Sequence, residues 1–367
     1  MQSERHMRRA IELAERGWGR VSPNPLVGAV IERDGEVVGE GWHEGPGTAH
    51  AEVMALERAG DLARGATIFT TLEPCNRFGR TPPCTRALID ARVARVVVAA
   101  LDPNLGDDAP GISELRSAGV GVEVGVLANE AERQNAAFLT HVRTGQPFVV
   151  LKMAASLDGK AAARDGSSKW ITGEAARADV QRLRAWADAV TVGAGTALAD
   201  DPSLTVRDPS FAGSRPPLRV LADANGRVPA SGHMFDGTAA TLVATTDGAP
   251  ESRMAEWRAT GAEVAVLDRD GEGGVSLLAL VEQLGKRGVQ GLLLEGGPTL
   301  AGSAVRDRVV DRFVVYYAPM LTGGASAPGV IGGTGFAPIG ASPRVHIASV
   351  DAIGEDLRVE ADVHRHR

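Results

Sequence analysis

The residues that could do the most distinctive chemistry stand in the first quarter of the chain. His50 and Glu52 are separated by one residue, and Cys75 and Cys84 follow, each directly after a proline. One imidazole and two thiolates suit zinc, and three protein ligands leave the fourth tetrahedral position open to water, as in catalytic rather than structural sites. The pattern therefore predicts a catalytic zinc site held by His50, Cys75 and Cys84, with Glu52 close to the metal but not bound to it.

Each of these residues also has an ordinary structural alternative: a helix-capping histidine, a surface glutamate and two buried thiols. Their combination with two prolines favours the metal site, because zinc enzymes that deaminate bases share this His-x-Glu, Pro-Cys and Cys arrangement. Glu52 would then take a proton from zinc-activated water and deliver it to a ring nitrogen and the leaving ammonia. A non-enzymatic zinc module, the alternative of another class, has no use for that carboxylate.

Alternating hydrophobic periodicities predict the elements that must bring these residues together. A helix over 50–59 carries His50 and Glu52, a strand over 66–71 leads toward Cys75, and a helix over 85–91 follows Cys84. The other elements predicted in this half are a first helix, a hairpin around an Asp-Gly turn, and further strands and helices, at residues 7–18, 27–39, 93–100, 113–118, 120–126 and up to 142. This alternation predicts a largely parallel sheet covered by helices.

The best domain boundary is Thr144-Gly145-Gln146-Pro147, where glycine and proline stop a helix before a fresh strand. It divides the chain into predicted domains 1–146 and 147–367, as the length of 367 residues suggests. The second domain alternates again, with strands predicted over 148–153, 189–192, 218–222, 241–245, 263–267, 291–294 and 312–318, and helices over 174–185, 251–259, 276–286 and 299–305.

Two strand–glycine–helix junctions of this second domain could hold a phosphate, at residues 192–196 and 294–299. Glycine allows close backbone approach, and a helix N-terminus offers free N–H donors. Ordinary tight turns are the alternative. Neither a Gly-x-Gly-x-x-Gly nor a Gly-Lys-Ser/Thr motif occurs at such a junction, which excludes Rossmann and P-loop dinucleotide or nucleotide sites.

Composition excludes several classes of partner. The net charge of −7 gives no field for nucleic acid or an anionic membrane, and no apolar run approaches the ~20 residues of a membrane span. Two cysteines in so long a chain make no disulfide framework, which favours the reducing cytoplasm. Small molecules are the expected partners.

Seven motifs, in order over nearly the whole chain, resemble one enzyme family: PNPLVG at 23–28, HAE at 50–52, EPCNRFGRTPPC at 73–84, LKMAASLDGK at 151–160, KWITG at 169–173, DDPSLT at 200–205 and LEGG at 294–297. The family is the bifunctional riboflavin-biosynthesis deaminase/reductase. The resemblance implies an α/β chain: an N-terminal cytidine-deaminase-like α/β/α domain and a C-terminal dihydrofolate-reductase-like α/β domain. It implies zinc-dependent hydrolytic deamination of 2,5-diamino-6-(5-phosphoribosylamino)pyrimidin-4-one, followed by NADPH reduction of the ribosyl chain of 5-amino-6-(5-phosphoribosylamino)uracil to ribityl.

The resemblance also implies residue roles. His50, Cys75 and Cys84 would hold zinc, and Glu52 would be the proton donor. The deaminase substrate would contact Asn24, His43 and Arg80. The NADPH slot would be lined by Ala154, Trp170, Thr196, Asp200, Gly296 and Gly297. The reductase substrate would be surrounded by Lys152, Ser168, Thr172, Arg184, Leu204, Arg207 and Glu295. Arg184 and Arg207 suit a bidentate grip on its 5-phosphate, and Asp200 is the candidate for proton movement during sugar opening.

One position departs from the family pattern. Arg77 stands where the family usually has histidine, and arginine can neither accept a hydrogen bond nor lose its charge near neutral pH. An alternative is therefore a chain whose deaminase half is impaired and whose main activity is the reductase. A base deaminase fused to an unrelated domain is disfavoured by the acidic charge balance and the reductase-like second half. A homodimer or tetramer is expected by analogy.

Overall fold

The computed structural model describes residues 2–78, 82–106 and 108–363, which divide into two units, Met1–Thr144 and Gly145–Arg367. The predicted boundary between residues 146 and 147 lies in the same short segment. Within the described residues, no helix is long and apolar enough to cross a membrane.

The first unit is built on a five-stranded sheet of mixed direction. Its strands are β1 Gly28–Arg33, β2 Glu36–Trp42, β3 Thr67–Leu72, β4 Arg95–Ala100 and β5 Gly121–Val124, in the order β2-β1-β3-β4-β5. β3, β4 and β5 are parallel, as predicted, whereas β1 runs antiparallel to both β2 and β3. The antiparallel part follows from the predicted hairpin, whose turn residues Asp34 and Gly35 both have positive φ, 54° and 89°.

Helices cover both faces of this sheet. They are α1 Gln2–Ala14, α2 Ala51–Ala59, α3 Cys84–Asp90, α4 Pro110–Ser117, α5 Ala128–Gln134 and α6 Ala136–Thr144. Residues of β4 alternate between the two cores: Val96 packs in a cluster with Leu88 of α3, and Val97 in a cluster with Phe138 of α6. The result is the predicted α/β/α arrangement of cytidine-deaminase-like domains. The single helix predicted up to residue 142 is instead two helices, divided at Asn135.

Two glycines of β2 let α2 lie directly on the sheet. A Cβ atom on Gly41 would come within 2.1 Å of the Ala51 carbonyl oxygen, and one on Gly39 within 2.3 Å of the Ala55 carbonyl oxygen. Neither position has room for a side chain, so the glycines fix the depth of the helix that begins beside His50.

The second unit contains a nine-stranded sheet. Its strands are β6 Phe148–Ser156, β7 Ala189–Gly193, β8 Leu218–Ala222, β9 Thr241–Thr245, β10 Glu263–Val266, β11 Gly291–Leu294, β12 Arg312–Ala318, β13 His346–Ile353 and β14 Asp356–Asp362, in the order β10-β9-β8-β7-β11-β6-β12-β14-β13. The first seven strands in this order, β10 through β12, are all parallel to one another. β14 pairs antiparallel with β12, and β13 pairs antiparallel with β14 at the edge of the sheet. This is the predicted dihydrofolate-reductase-like α/β architecture; the edge hairpin of β13 and β14 was absent from the prediction.

The described part of this unit has five α-helices beside the sheet: α7 Glu174–Trp186, α8 Ala194–Asp200, α9 Glu251–Ala259, α10 Leu277–Lys286 and α11 Pro298–Arg306. The central strand β11 is fully buried, which accounts for its unbroken run Leu292–Leu294. Because β7 and β11 are parallel neighbours, α8 and α11 begin at the same edge of the sheet. Both predicted phosphate cradles therefore lie at that edge.

Candidate active sites

The three predicted zinc ligands come from different elements of the first unit and meet beside the end of β3. His50 precedes α2 as its N-cap residue, Cys75 follows β3, and Cys84 begins α3. The Nδ1 atom of His50 lies 3.0 Å from Sγ of Cys84 and 3.5 Å from Sγ of Cys75, and the two sulfurs are 3.5 Å apart.

These separations fit a single metal ion. Zinc bonds of about 2.3 Å to sulfur and about 2.0 Å to nitrogen place tetrahedral ligands roughly 3.5–3.8 Å apart, close to the 3.0–3.5 Å found here. A disulfide is excluded, because its bond is about 2.05 Å long and both cysteines are free thiols. In the part of the chain that the structure describes, this is the one cluster of three or more potential metal ligands that converges in this way.

The two sulfurs of the cluster share one proton, because the contact between them lowers the pKa of Cys75 and raises the pKa of Cys84. Hydrogen bonding from Cys84, reinforced by His50, lowers the pKa of Cys75 to about 4 against the cost of burial. The contact with Cys75 in turn raises the pKa of His50. Thiolate is the form that binds zinc, so at least one sulfur is prepared for the metal at neutral pH.

Glu52 lies in the first turn of α2 and is buried, with 3% of its surface exposed. Its Oε1 accepts a hydrogen bond of 3.4 Å from the Thr70 hydroxyl of β3. Burial raises the pKa of Glu52, with His50 acting in the opposite direction. A buried carboxyl with a raised pKa is suited to taking up and returning a proton near neutral pH.

Glu73 stands in the motif at 73–84, and no role for it was predicted from the sequence. Its buried carboxylate accepts backbone N–H bonds from Gly111 at 3.0 Å, Ile112 at 3.3 Å and Asp102 at 3.4 Å. Two of these donors are at the start of α4, so Glu73 fixes the segment that carries Cys75 to that helix. The signal in the sequence was the glutamate itself, placed directly before Pro74 and Cys75 at the end of a buried strand.

The two predicted deaminase substrate residues that the structure describes lie together. Asn24 Nδ2 is 3.0 Å from His43 Nε2, and Nδ1 of His43 is 3.3 Å from the Ala49 carbonyl oxygen. The His43 ring stands edge-on to His50, with centroids 5.6 Å apart. Burial lowers the pKa of His43, which favours its neutral form. Arg80, the third predicted contact, lies outside the described residues.

Arg77, the departure from the family pattern, is bound to backbone. Its Nη2 donates to the Leu105 carbonyl oxygen at 3.0 Å. The guanidinium therefore ties the segment after Cys75 to the turn before α4.

In the second unit, Glu295 is the centre of a buried charge cluster. Arg184 of α7 donates to both its oxygens, Nε to Oε1 at 2.6 Å and Nη2 to Oε2 at 3.0 Å, and Lys152 Nζ of β6 lies 3.4 Å from Oε2. Burial alone would raise the pKa of Glu295, but Arg184 and Lys152 outweigh it and lower the pKa to about 2. Because Nε and Nη2 of Arg184 both bind Glu295, Arg184 does not have these two donors available for a bidentate contact with a substrate phosphate in this structure.

Four predicted cofactor residues lie along the edge where β6, β7 and β11 end. Thr196 Oγ1 of α8 accepts from the Gly297 N–H at 3.0 Å, which joins the two predicted phosphate cradles, and Gly296 precedes Gly297 there. Ala154 lies two residues after Lys152 on β6, so both project from one face. Gly195, in the first cradle, is exposed and has open space where a Cβ would be, so a phosphate could approach its backbone.

Trp170 is 74% exposed, which excludes a core role, and the Arg177 guanidinium lies 4.5 Å from its ring centroid. An exposed indole held by a cation–π contact is available to a flat ligand.

The remaining predicted reductase residues have varied surroundings. Asp200 is exposed at the end of α8, Ser168 and Thr172 are half-buried, and Leu204 is buried with a φ of 53°. Arg207 is exposed and lines a cavity of about 360 Å³ together with Thr205 and Thr238. Across the described residues, no hydrogen bond or ion pair joins Asp200 to Lys152 or Glu295.

The two units of the chain match two different families of known protein domains. Residues 1–100 match the cytidine and deoxycytidylate deaminase zinc-binding region, and residues 147–359 match the RibD C-terminal domain. The riboflavin biosynthesis protein RibD of Bacillus amyloliquefaciens is 41% identical over 99% of this chain and 100% of its own. The chain belongs to the RibD family. The structure of Acinetobacter baumannii RibD superposes on it with a TM-score of 0.86, at 36% identity over 99% of both chains.

A further solved RibD relative is described by its activities. It is the diaminohydroxyphosphoribosylaminopyrimidine deaminase/5-amino-6-(5-phosphoribosylamino)uracil reductase of Thermotoga maritima, with a TM-score of 0.84 and 35% identity over 99% of both chains. As a RibD protein, this chain is a bifunctional deaminase and reductase of riboflavin biosynthesis that uses zinc and NADPH. The alternative of a chain with the reductase as its main activity is not favoured, since the chain matches both the deaminase zinc-binding region and the RibD C-terminal domain.

Proposed function

We propose that this RibD protein deaminates 2,5-diamino-6-(5-phosphoribosylamino)pyrimidin-4-one in its first unit and reduces the resulting 5-amino-6-(5-phosphoribosylamino)uracil in its second. The observation that carries the first activity is the convergence of His50, Cys75 and Cys84 within 4.8 Å, beside a buried Glu52. Three ligands with an adjacent free carboxyl are what a hydrolytic zinc site requires.

In the deaminase, His50, Cys75 and Cys84 would hold the zinc. When bound, zinc supplies the Lewis acidity that makes water a nucleophile near pH 7. Glu52 takes one proton from the attacking water at a carboxylate oxygen and gives it to the pyrimidine ring nitrogen. It then takes the second proton from the hydroxyl now on the ring carbon and gives it to the amino group, which leaves as ammonia. Thr70 holds that carboxyl in place. Asn24 presents its amide to the pyrimidine edge, oriented by its contact with the neutral His43 ring.

In the reductase, Thr196, Gly296 and Gly297 line the phosphates of the cofactor, and Trp170 and Ala154 border its flat parts. When bound, NADPH supplies the hydride that reduces C1 of the opened sugar. Lys152 presents its ammonium to the substrate while Glu295 and Arg184 fix its position and charge. Ser168, Thr172 and Leu204 surround the substrate, and Asp200 moves the proton that sugar opening requires.

The phosphate of the reductase substrate is assigned to Arg207. Its guanidinium is exposed at the rim of the 360 Å³ cavity, whereas that of Arg184 is already paired with Glu295. An unpaired guanidinium can grip a phosphate with two parallel hydrogen bonds.

Separate assays of the two half-reactions test the proposal. Ammonia release without NADPH reports deamination, NADPH consumption with deaminated substrate reports reduction, and metal analysis of the same sample gives the zinc content. We expect both activities and about one zinc per chain. Zinc-replete protein that releases no ammonia would contradict the deaminase assignment, and protein that consumes no NADPH would contradict the reductase assignment.

The assignment of Asp200 has its own test. Asp200→Asn keeps the shape of the side chain but removes its ability to carry a proton, so we expect reductase kcat to fall about 100-fold or more. Full reductase turnover in this variant would remove Asp200 from the proton-transfer role.

We also propose that the protein forms a homo-oligomer in the reducing cytoplasm. β13 is the edge strand of the second sheet, and its Ile347 and Val350 are 59% and 56% exposed. An exposed apolar edge invites strand pairing with a second copy. Light scattering that gives the mass of a single chain at working concentration would contradict the oligomer.

The cytoplasmic location is proposed from the cysteines. Two neighbouring thiols needed as zinc ligands remain reduced in the cytoplasm.

A further inference from the structure

Asn135 occupies the break between α5 and α6 and is buried, with 4% of its surface exposed. Its side-chain amide makes two hydrogen bonds to a single distant residue, since Nδ2 donates to the Leu26 carbonyl oxygen and Oδ1 accepts from the Leu26 N–H, each at 2.8 Å. The amide therefore pairs with Leu26 as a neighbouring strand would, although no strand is present there.

The segment held in this way carries the proposed substrate contacts of the deaminase. Asn24 is two residues before Leu26, and its amide contacts the His43 ring at 3.0 Å. On the other side of Leu26, the Val27 carbonyl oxygen accepts the His43 N–H at 2.9 Å. The clamp on Leu26 thus lies between the two points at which this segment meets His43.

We propose that Asn135 is a positioning residue of the deaminase: it holds residues 24–27 so that Asn24 and His43 meet the pyrimidine in the correct orientation. The inference rests on the proposed substrate role of Asn24 and His43. Within the described residues, the side-chain hydrogen bonds of Asn135 go to Leu26 and to none of His50, Cys75, Cys84 and Glu52, so we expect its effect on substrate binding rather than on proton transfer. No apolar side chain can replace it, because both polar groups of the buried Leu26 backbone would lose their partners.

The test is a double-mutant cycle of Asn135→Ala and Asn24→Ala in the full chain, with KM and kcat of deamination measured separately. We expect Asn135→Ala to raise KM about 10- to 100-fold, which corresponds to about 1.4–2.8 kcal/mol of lost substrate binding, and to change kcat much less. In the Asn24→Ala background, the same substitution should add little, because residues that act through one contact are not additive.

A matched control is Gln134→Ala. This neighbouring amide donates at 2.9 Å to the Ile11 carbonyl oxygen of α1 and makes no described bond to residues 24–27, so its KM for deamination should stay within about twofold of the parent. Zinc content and reductase turnover should be unchanged in every variant. If Asn135→Ala does not fold, Asn135→Asp keeps an acceptor for the Leu26 N–H but loses the donor, and a smaller increase of KM in the same direction is expected.

The outcomes separate the two proposals. An unchanged KM in Asn24→Ala overturns the substrate role of Asn24, on which this inference depends. A raised KM in Asn24→Ala with an unchanged KM in the Asn135 variants overturns the positioning role alone. Full additivity in the cycle, or an equal rise in Gln134→Ala, likewise shows that Asn135 supports the fold generally and does not act through Asn24.

Discussion

At the scale of single residues, the environment of Glu52 separates its role from those of the metal ligands beside it. The carboxyl is buried, accepts a hydrogen bond from Thr70 and contacts Cys84, but it is not one of the three ligands of the cluster. Glu52→Gln keeps the size and hydrogen bonding of the side chain but cannot carry a proton. We expect deaminase kcat to fall by about 10²- to 10⁴-fold, with zinc content and reductase turnover unchanged.

The matched control for this change is Glu57→Gln, an exposed glutamate on the same helix. Rates of ammonia release from the two variants, each at saturating substrate, give the comparison. If Glu52→Gln turns over like the parent, proton transfer belongs to another group.

Glu295 gives a pH-dependent prediction for the second unit. Its pKa is lowered from 4.5 to about 2 by Arg184 and Lys152. A carboxyl with a lowered pKa in the folded state stabilises the protein above its unfolded pKa and loses that contribution as the pH falls through the folded value. We therefore expect the stability advantage of the parent over Glu295→Gln to be largest above pH 4.5 and to shrink between pH 4.5 and about 2.

Urea unfolding of the second unit at a series of pH values measures this difference. Glu282→Gln, on the exposed face of α10, should show no such trend relative to the parent. A stability difference between parent and Glu295→Gln that stays constant down to pH 2 would show that the Arg184–Glu295–Lys152 cluster does not hold the carboxylate in its charged form.

At the scale of elements, the depth of α2 on the sheet decides where His50 and Glu52 lie. A methyl group on Gly41 would meet the Ala51 carbonyl oxygen at 2.1 Å and push the start of the helix outward. We expect Gly41→Ala to destabilise the first unit by about 1–3 kcal/mol and to weaken zinc binding. The measurements are chemical denaturation and competition with a chelator.

Gly121→Ala is the control for that substitution, because its added methyl group would come no closer than 3.4 Å to its nearest neighbour, the Ala94 carbonyl oxygen. Equal losses of zinc affinity in the two variants would mean that the close approach of α2 does not position the site.

The elements that could be predicted are those specified by residues close together in the sequence. The β1–β2 hairpin is specified by Asp34-Gly35, because that pair accepts positive φ at both turn positions. The break between the two helices at Asn135 has no such local signal. The Asn135 side chain there binds the backbone of Leu26, which is 109 positions away in sequence. The β13–β14 hairpin was missed because β13 is largely exposed on both faces, so the alternation that marks a half-buried strand is absent.

At the scale of the whole molecule, the sequence predicted the two fold classes, chiefly because seven motifs fall in family order. The sequence also predicted a cluster of His50, Cys75 and Cys84, which do converge, since few residue types bind zinc and the chain has only two cysteines. It did not predict the pairing of Arg184 with Glu295, because 111 positions separate them and either side chain alone is compatible with binding a substrate.

Each unit has its own core and its own candidate site, which leads to a prediction about metal removal. Dialysis against a chelator should abolish ammonia release and leave NADPH consumption on deaminated substrate within about twofold of the holoprotein, because zinc is needed only for hydrolysis. Adding back zinc should restore deamination. Parallel loss of both activities would show that the second site depends on the metal of the first.

X-ray absorption at the zinc edge of the purified protein tests the central claim most directly. The geometry of His50, Cys75 and Cys84 predicts two sulfur ligands at about 2.3 Å and light-atom ligands, one of them imidazole, at about 2.0–2.1 Å. A zinc coordination shell without sulfur, or one of four sulfurs, would contradict the assigned site. The same conclusion would follow if mass spectrometry found Cys75 and Cys84 joined in a disulfide in the active protein.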